Sequence, residues 1–133
     1  MKFTAKTRYG LKAMCYLAKD NKNKPISLNI LAKNSEVTAP YLEKLLADLK
    51  KAKLIVTTRG AGGGYNLSKP AKDISLTDIV KALEGELVKI NCITNCNSKT
   101  CPNKNVFEGV SSQITNMFNN ISLESIIQNN KEE

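Results

Sequence analysis

Histidine is absent from the 133 residues, and so is tryptophan. Without an imidazole there is no Ser-His-Asp or Cys-His arrangement, no histidine general base and no mixed Cys/His zinc site. No other acid–base pair or activated nucleophile stands out, so an enzyme is not expected. Aromatic residues make up only 5% of the chain against 41% hydrophobic, which predicts an aliphatic, mostly helical core. No apolar run reaches the roughly 18 residues of a membrane span. The first residues, Met1 to Lys6, hold no apolar stretch of the signal-peptide kind, so the expected location is the cytoplasm and no membrane partner is foreseen.

The charge is unevenly placed. The net charge is +8, yet residues 1–72 hold 15 Lys/Arg against 4 Asp/Glu (+11), and residues 73–133 hold 5 against 8 (−3). A basic module that meets a polyanion, followed by a part with another task, is one reading. A lysine-rich surface kept for solubility is the other.

Apolar spacing divides the N-terminal part into helices. Leu11, Met14, Cys15 and Ala18 form one face of a first helix from near Thr4 to Asp20. Cys15 lies in that stripe and reads as a small buried hydrophobe. Ser27 can cap a short second helix carrying Leu28, Leu31 and Ala32, which Asn34-Ser35-Glu36 breaks. Thr38 can cap a third helix, with Pro40 tolerated in its first turn and Val37 and Leu42 at staple spacing. Leu42, Leu45, Leu46 and Leu49 continue its apolar face. Two short helices across a tight polar turn form a helix-turn-helix pattern.

The β-branched run Leu54–Thr58, the loop Arg59 to Gly64 and the short strand Tyr65–Leu67 then read as a hairpin wing. The glycines do not make a phosphate loop, because no Gly-Lys-Ser/Thr follows and no helix opens there. Ser75 can cap a fourth helix with Leu76, Ile79, Val80 and Leu83 inward, ending at Gly85. The expected fold is mainly α with a small β-hairpin wing. Residues 1–84 form a winged helix-turn-helix domain, 85–104 a cysteine-bearing loop, 105–127 a long helix plus a short terminal one, and 128–133 a tail.

On this plan the third helix enters the major groove of double-stranded DNA by its N-terminus. Thr38, Tyr41, Glu43 and Lys44 avoid the leucine stripe and can reach bases or phosphates. Glu43 is informative, because a carboxylate facing phosphates is costly unless it accepts from a cytosine amine. It has no partner one turn away in either direction, where Ala39 and Ala47 stand. Arg59 can enter a narrow minor groove, with Gly62 and Gly63 allowing close backbone approach. An ordinary hairpin with an exposed arginine is the plainer alternative.

In the C-terminal part Phe107, Val110, Ile114, Met117 and Ile121 follow 3-4-3-4 spacing over two heptads. That helix either packs on its own domain or pairs with a second copy. Pairing is favoured because the preceding residues already supply what reads as a complete small core. A homodimer would read a pseudo-palindromic operator. Cys92, Cys96 and Cys101 cluster within ten residues of the preceding loop, a pattern that in a reducing compartment points to soft metal or thiol chemistry.

The segment from Thr4 to Gly10 (Thr-Ala-Lys-Thr-Arg-Tyr-Gly), Tyr41 to Leu45 (Tyr-Leu-Glu-Lys-Leu), Arg59 to Tyr65 (Arg-Gly-Ala-Gly-Gly-Gly-Tyr) and the late cysteines resemble the IscR-type iron–sulfur cluster regulators. The resemblance runs from Met1 to about Ile127, and the wing is its most specific part. It implies a homodimeric winged-helix transcription regulator, expected to repress, with an iron–sulfur cluster on Cys92, Cys96 and Cys101. A 2Fe–2S cluster is favoured over 4Fe–4S. It also implies DNA contacts at Tyr41, Glu43 and Arg59, with Glu43 reading a base. Pro40 departs from the small hydroxyl residue of the family pattern. The fourth cluster ligand is open: Lys104 stands where one branch has histidine, and Arg8 where another has an acidic residue. Glu108 and Asn103 are nearby substitutes. Control by thiol oxidation or a partner protein without a cluster, a structural zinc site and a small redox iron–sulfur protein remain the alternatives.

Overall fold

The computed structural model describes residues 3–20, 24–88 and 102–129. Helix α1 (Ala5–Lys19) is followed by α2 (Leu28–Ser35) and α3 (Ala39–Lys51). Strands β1 (Ile55–Thr58) and β2 (Gly64–Leu67) come next, then a single 3₁₀ turn over Ala71–Asp73 and α4 (Leu76–Glu84). The chain closes with α5 (Pro102–Asn119) and α6 (Leu123–Asn129).

Local chemistry accounts for most boundaries. The Ile30 N–H donates to Ser27 Oγ at 3.3 Å and starts α2. At the other end Glu36 takes a left-handed conformation, φ 59°, and the Val37 N–H returns to the Ala32 carbonyl at 3.1 Å. That closes the tight turn between α2 and α3. Ser75 and Asp78 form a reciprocal capping box, each side chain taking the other's backbone N–H at 3.1 Å, so α4 begins sharply. Thr38 occupies the N-cap position of α3 but makes no side-chain capping bond, so backbone geometry and Pro40 start that helix instead.

The hairpin is antiparallel, with Ile55 opposite Leu67 and Thr58 opposite Gly64. A third piece of backbone joins it. Ile26 and Tyr65 exchange two hydrogen bonds, Tyr65 N–H to the Ile26 carbonyl at 2.8 Å and Ile26 N–H to the Tyr65 carbonyl at 3.0 Å. The loop before α2 is thereby stitched to the wing.

The core is aliphatic. Met14, Leu31, Leu42, Leu46, Leu49, Ile55, Ile74, Ile79 and Leu123 are fully buried. Leu123 and Ile127 of the last helix belong to the same cluster as Met14 and Leu17 of α1. The N-terminal residues therefore do not complete their own core, contrary to the sequence expectation. Two backbone bonds lock α6 in place: Leu76 N–H to the Ile121 carbonyl and Leu123 N–H to the Ile74 carbonyl, both 2.8 Å. This bridge also explains why Ile121 does not continue the α5 stripe. The helix stops at Asn119, and Ile121 is held in extended pairing with the α4 cap.

Helix α5 begins at Pro102, three residues before the expected start, with proline in the first turn where its missing N–H costs nothing. Phe118 is buried against Val80 and Leu87, with Ile114 packed beside them. Val106, Val110 and Met117 are exposed by 60%, 44% and 56%. Phe107 is half-buried. Of the five expected seam residues, then, Val110 and Met117 face outward, and Ile114 serves the chain's own packing. Phe3 stacks on Phe118 with ring centroids 5.9 Å apart.

The N-terminus of α1 is held by an acidic residue from another helix. The Thr4 hydroxyl donates to Glu84, and the Thr7 hydroxyl donates to the same oxygen at 2.9 Å. These bonds, Thr4's foremost, hold the Glu84 carboxyl below its ordinary range. Gly10 of α1 is buried against Leu83, leaving no room for a Cβ, so α1 and α4 approach closely just there.

Two outcomes follow. Leu123→Ala should cost about 2–5 kcal/mol of unfolding free energy in urea titration, because it empties a fully enclosed site shared with α1. Glu84→Gln should cost on the order of 0.5 kcal/mol at pH 7, a figure discounted for solvent screening. Its folded pKa lies below the unfolded value near 4.3, so the wild-type advantage is full above that value. The advantage should vanish as pH falls through the lowered folded pKa.

Candidate DNA-reading face

Helix α3 presents one buried and one open face because its leucines recur at helical spacing. Leu42, Leu45, Leu46 and Leu49 are at most 2% exposed, whereas Thr38, Glu43 and Lys44 are exposed. Lys50, Lys51 and Lys53 are exposed at its far end, and Lys33 on α2. Thr38 keeps its hydroxyl clear of any capping bond, so that group is available to a phosphate oxygen.

Tyr41 is half-buried, and its placement comes from α1. The Tyr9 ring meets it edge-on, with centroids 6.2 Å apart and planes at 88°. The Arg8 guanidinium lies over the Tyr9 ring at 5.7 Å. Tyr9 thus packs against Tyr41, a residue of the candidate reading face. Sequence reasoning passed over it, because nothing in the local pattern says that α1 and the start of α3 touch there.

Arg59 is exposed at the beginning of the wing loop, and Gly62 is exposed with φ 78°, a conformation that disfavours any side chain. Gly63 is half-buried, with the Thr58 carbonyl lying 2.2 Å from where its Cβ would stand. Gly64 is tighter still: a Cβ would meet the Ile26 carbonyl oxygen at 2.2 Å and the Ser27 nitrogen at 2.8 Å. Gly63 and Gly64 are therefore explained by close chain approach within the protein itself. Of the glycines near Arg59, Gly60 and Gly62 are both exposed, with open space where a Cβ would stand.

Tyr65 of β2 lies within electrostatic reach of Glu43 on α3. Burial holds its hydroxyl above the ordinary tyrosine range, and the Glu43 carboxylate adds to the shift. Glu43 and Tyr65 are thus electrostatic neighbours across two elements. The tie between them is the Ile26–Tyr65 ladder, which fixes the wing root relative to the helix-turn-helix.

Comparison with known proteins settles the family. The model of the Rrf2 family, described as iron-dependent transcriptional regulators, matches residues 3–129. The chain belongs to the Rrf2 family. It is 32% identical over 134 residues to the HTH-type transcriptional regulator IscR of Vibrio vulnificus, covering 98% of this chain and 80% of that protein. The solved structure of T. potens IscR aligns with a TM-score of 0.78 and 34% identity, over 99% of this chain and 90% of that one. CymR (YrzC), described as the global cysteine regulator of B. subtilis, aligns with a TM-score of 0.79 and 28% identity. That alignment covers 96% of this chain and 97% of CymR. The mostly helical winged-helix architecture read from the sequence is the one these Rrf2 structures share.

Cys92, Cys96 and Cys101 lie outside the described residues. Among the described residues no group of three or more Cys, Asp or Glu side chains could hold a metal ion. Cys15 is a free, half-buried thiol on α1. Burial pushes it up, and Lys19 pulls the other way to a lesser degree. It is thus kept protonated and poorly nucleophilic near neutrality. Lys104 is half-buried in the first turn of α5, and Glu108 is exposed further along that helix. No helix among the described residues is long and apolar enough to cross a membrane.

Gly64→Ala should break the Ile26–Tyr65 pairing and loosen the wing while leaving the helices folded. Amide exchange at Ile26 and Tyr65 should rise by at least about tenfold, equivalent to roughly 1.4 kcal/mol of local opening, with helical circular dichroism unchanged. Retained protection at both amides would contradict the close-approach account.

Proposed function

We propose that the chain is a homodimeric, sequence-specific DNA-binding regulator, acting as a repressor, whose operator affinity depends on an iron–sulfur cluster held by Cys92, Cys96 and Cys101. The DNA-reading part is supported by the exposure of Thr38, Glu43 and Lys44 on α3 and of Arg59 on the wing, with the wing strand tied at Tyr65 to Ile26 just ahead of α2. Tyr41 and Gly62 complete it. Glu43 discriminates bases and Arg59 occupies the minor groove, while the lysines around them neutralise phosphates.

Dimerisation uses α5. Its exposed Val106, Val110 and Met117 form an apolar line that a second copy would cover. Because α5 is locked at its C-terminal end by the Ser75–Ser122 bridge, its attitude is transmitted to α4 and the core. Pairing of two such helices sets the distance between recognition helices, which must match about one turn of DNA, roughly 34–36 Å, or a multiple of it.

The three thiolates suit a thiophilic iron–sulfur cluster, and such a group would supply redox and ligand-exchange chemistry to the sensor segment. Lys104 stands where one branch has its fourth ligand, so that position is taken by Glu108 or Asn103 nearby in the sequence or is left open to water. The likeness to CymR favours a second reading, in which cysteine thiol chemistry or a partner protein controls the same DNA-binding unit without a cluster.

The test is the visible spectrum of anaerobically purified protein with iron and acid-labile sulfide counted per chain, paired with operator selection from a random DNA pool. Charge-transfer bands with matched iron and sulfide, lost in Cys92→Ala/Cys101→Ala, are expected. Arg59→Ala should weaken selected-site binding by about 1–3 kcal/mol, and Glu43→Ala should relax sequence preference more than affinity. A colourless protein that stays colourless after reconstitution would remove the cluster and leave the thiol reading. DNA binding insensitive to salt would remove the DNA reading itself.

A further inference from the structure

A half-open cavity of about 430 Å3 lies against α1. Half-buried Leu11, Cys15 and Ile126 give it an apolar floor from α1 and α6, and exposed Arg8, Lys12 and Lys19 stand around it. Its volume falls in the range of small-molecule sites, roughly 300–1,000 Å3. Lys12 spends part of its charge on Glu36, 3.4 Å away across exposed surface. Among the described residues Arg8 and Lys19 have no carboxylate partner.

We propose that this cavity binds a small organic carboxylate with an aliphatic body, the body on Leu11, Cys15 and Ile126 and the carboxylate on Arg8 and Lys19. Charge complementarity selects the anion. The apolar floor selects against a bare inorganic one. The planar guanidinium of Arg8 can take both carboxylate oxygens at once, which a lysine cannot. Cys15 contributes surface and not reactivity, since its thiol is kept protonated by burial.

The position of Arg8 gives the site a consequence. Its guanidinium rests on Tyr9, and the Tyr9 ring abuts Tyr41 of the recognition helix. A carboxylate that engages Arg8 competes with the Tyr9 contact and frees the ring that supports Tyr41. Occupancy is therefore coupled to the reading face through two ring contacts. This coupling rests on the DNA-reading assignment, whereas the binding site does not.

The experiment uses octanoate on the anaerobically purified full chain, followed by NMR shift titration without DNA. Saturable shifts are expected for Leu11, Cys15 and Ile126, with slowed alkylation of Cys15 read from its own peptide by mass spectrometry. Arg8→Gln and Lys19→Gln, both at exposed positions, should each weaken octanoate by about two- to fivefold. Octan-1-ol and inorganic phosphate should each bind more weakly. No saturable shift, binding indifferent to both substitutions, or phosphate binding as tightly as octanoate would overturn the site. If octanoate binds but Tyr41 ring shifts and affinity for a selected operator stay unchanged, the coupling falls. Failure of the DNA reading would show separately, as loss of salt-sensitive DNA binding in the absence of octanoate.

Discussion

Most of the other elements are organised by the need to cover α1. Its buried side carries Gly10, Ala13, Met14, Leu17 and Ala18, small enough in most places that neighbouring helices come close. Helices α2, α3, α4 and α6 and strand β2 all pack on it. A 15-residue helix cannot leave such a face in water, and no single partner is wide enough to hide it. The helix-turn-helix, the wing root and the C-terminal helix are thus fixed relative to one another by a shared support. Aliphatic burial at roughly 25 cal/mol per Å2 is the dominant force, and the few aromatic residues are left for positioned contacts.

Those contacts lie at the periphery, where function is concentrated. Tyr9 against Tyr41 and Phe3 on Phe118 each join parts of the chain distant in sequence. Backbone stitches perform the same task for the loops: Ile26 to Tyr65 at the wing, Ser75 to Ser122 at the end of α5. A DNA-reading surface needs such rigidity, because bidentate base contacts tolerate little displacement. The exposed line of Val106, Val110 and Met117 is the one large feature the monomer leaves uncovered on α5, and it suits the proposed dimer contact.

Membership of the Rrf2 family brings two kinds of relative together on one architecture, IscR proteins and the cysteine regulator CymR. A shared fold does not choose between their chemistries. The proposed cluster rests on the resemblance that Cys92, Cys96 and Cys101 carry, and burial makes the remaining thiol, Cys15, a poor sensor. The cavity beside Cys15 offers a route to regulation that reaches the recognition helix without passing through the three cysteines.

Much of the fold was legible in the residues because local physics writes it there. Leucines every three and four residues made α3 and its inward face plain. Ser27 and Ser75 marked helix starts, and Gly85 marked an end, through capping and backbone freedom that operate within one turn. The wing was legible from a β-branched run and its glycines. The late heptad was misread at Ile121, and the N-terminal core was credited with completeness it lacks. Both errors have one cause: Leu123 and Ile127 enter a core whose other members run from Ala13 to Leu83, and periodicity carries no information about such pairings. Gly64 likewise needs Ile26, Glu84 needs Thr4 and Thr7, and Tyr41 needs Tyr9. The sequence alone determined the helices, the wing and the charged face, because each depends on neighbours within a few residues. Only the tertiary structure decided what supports the reading face and what closes the core, because those depend on distances between residues that the chain keeps far apart.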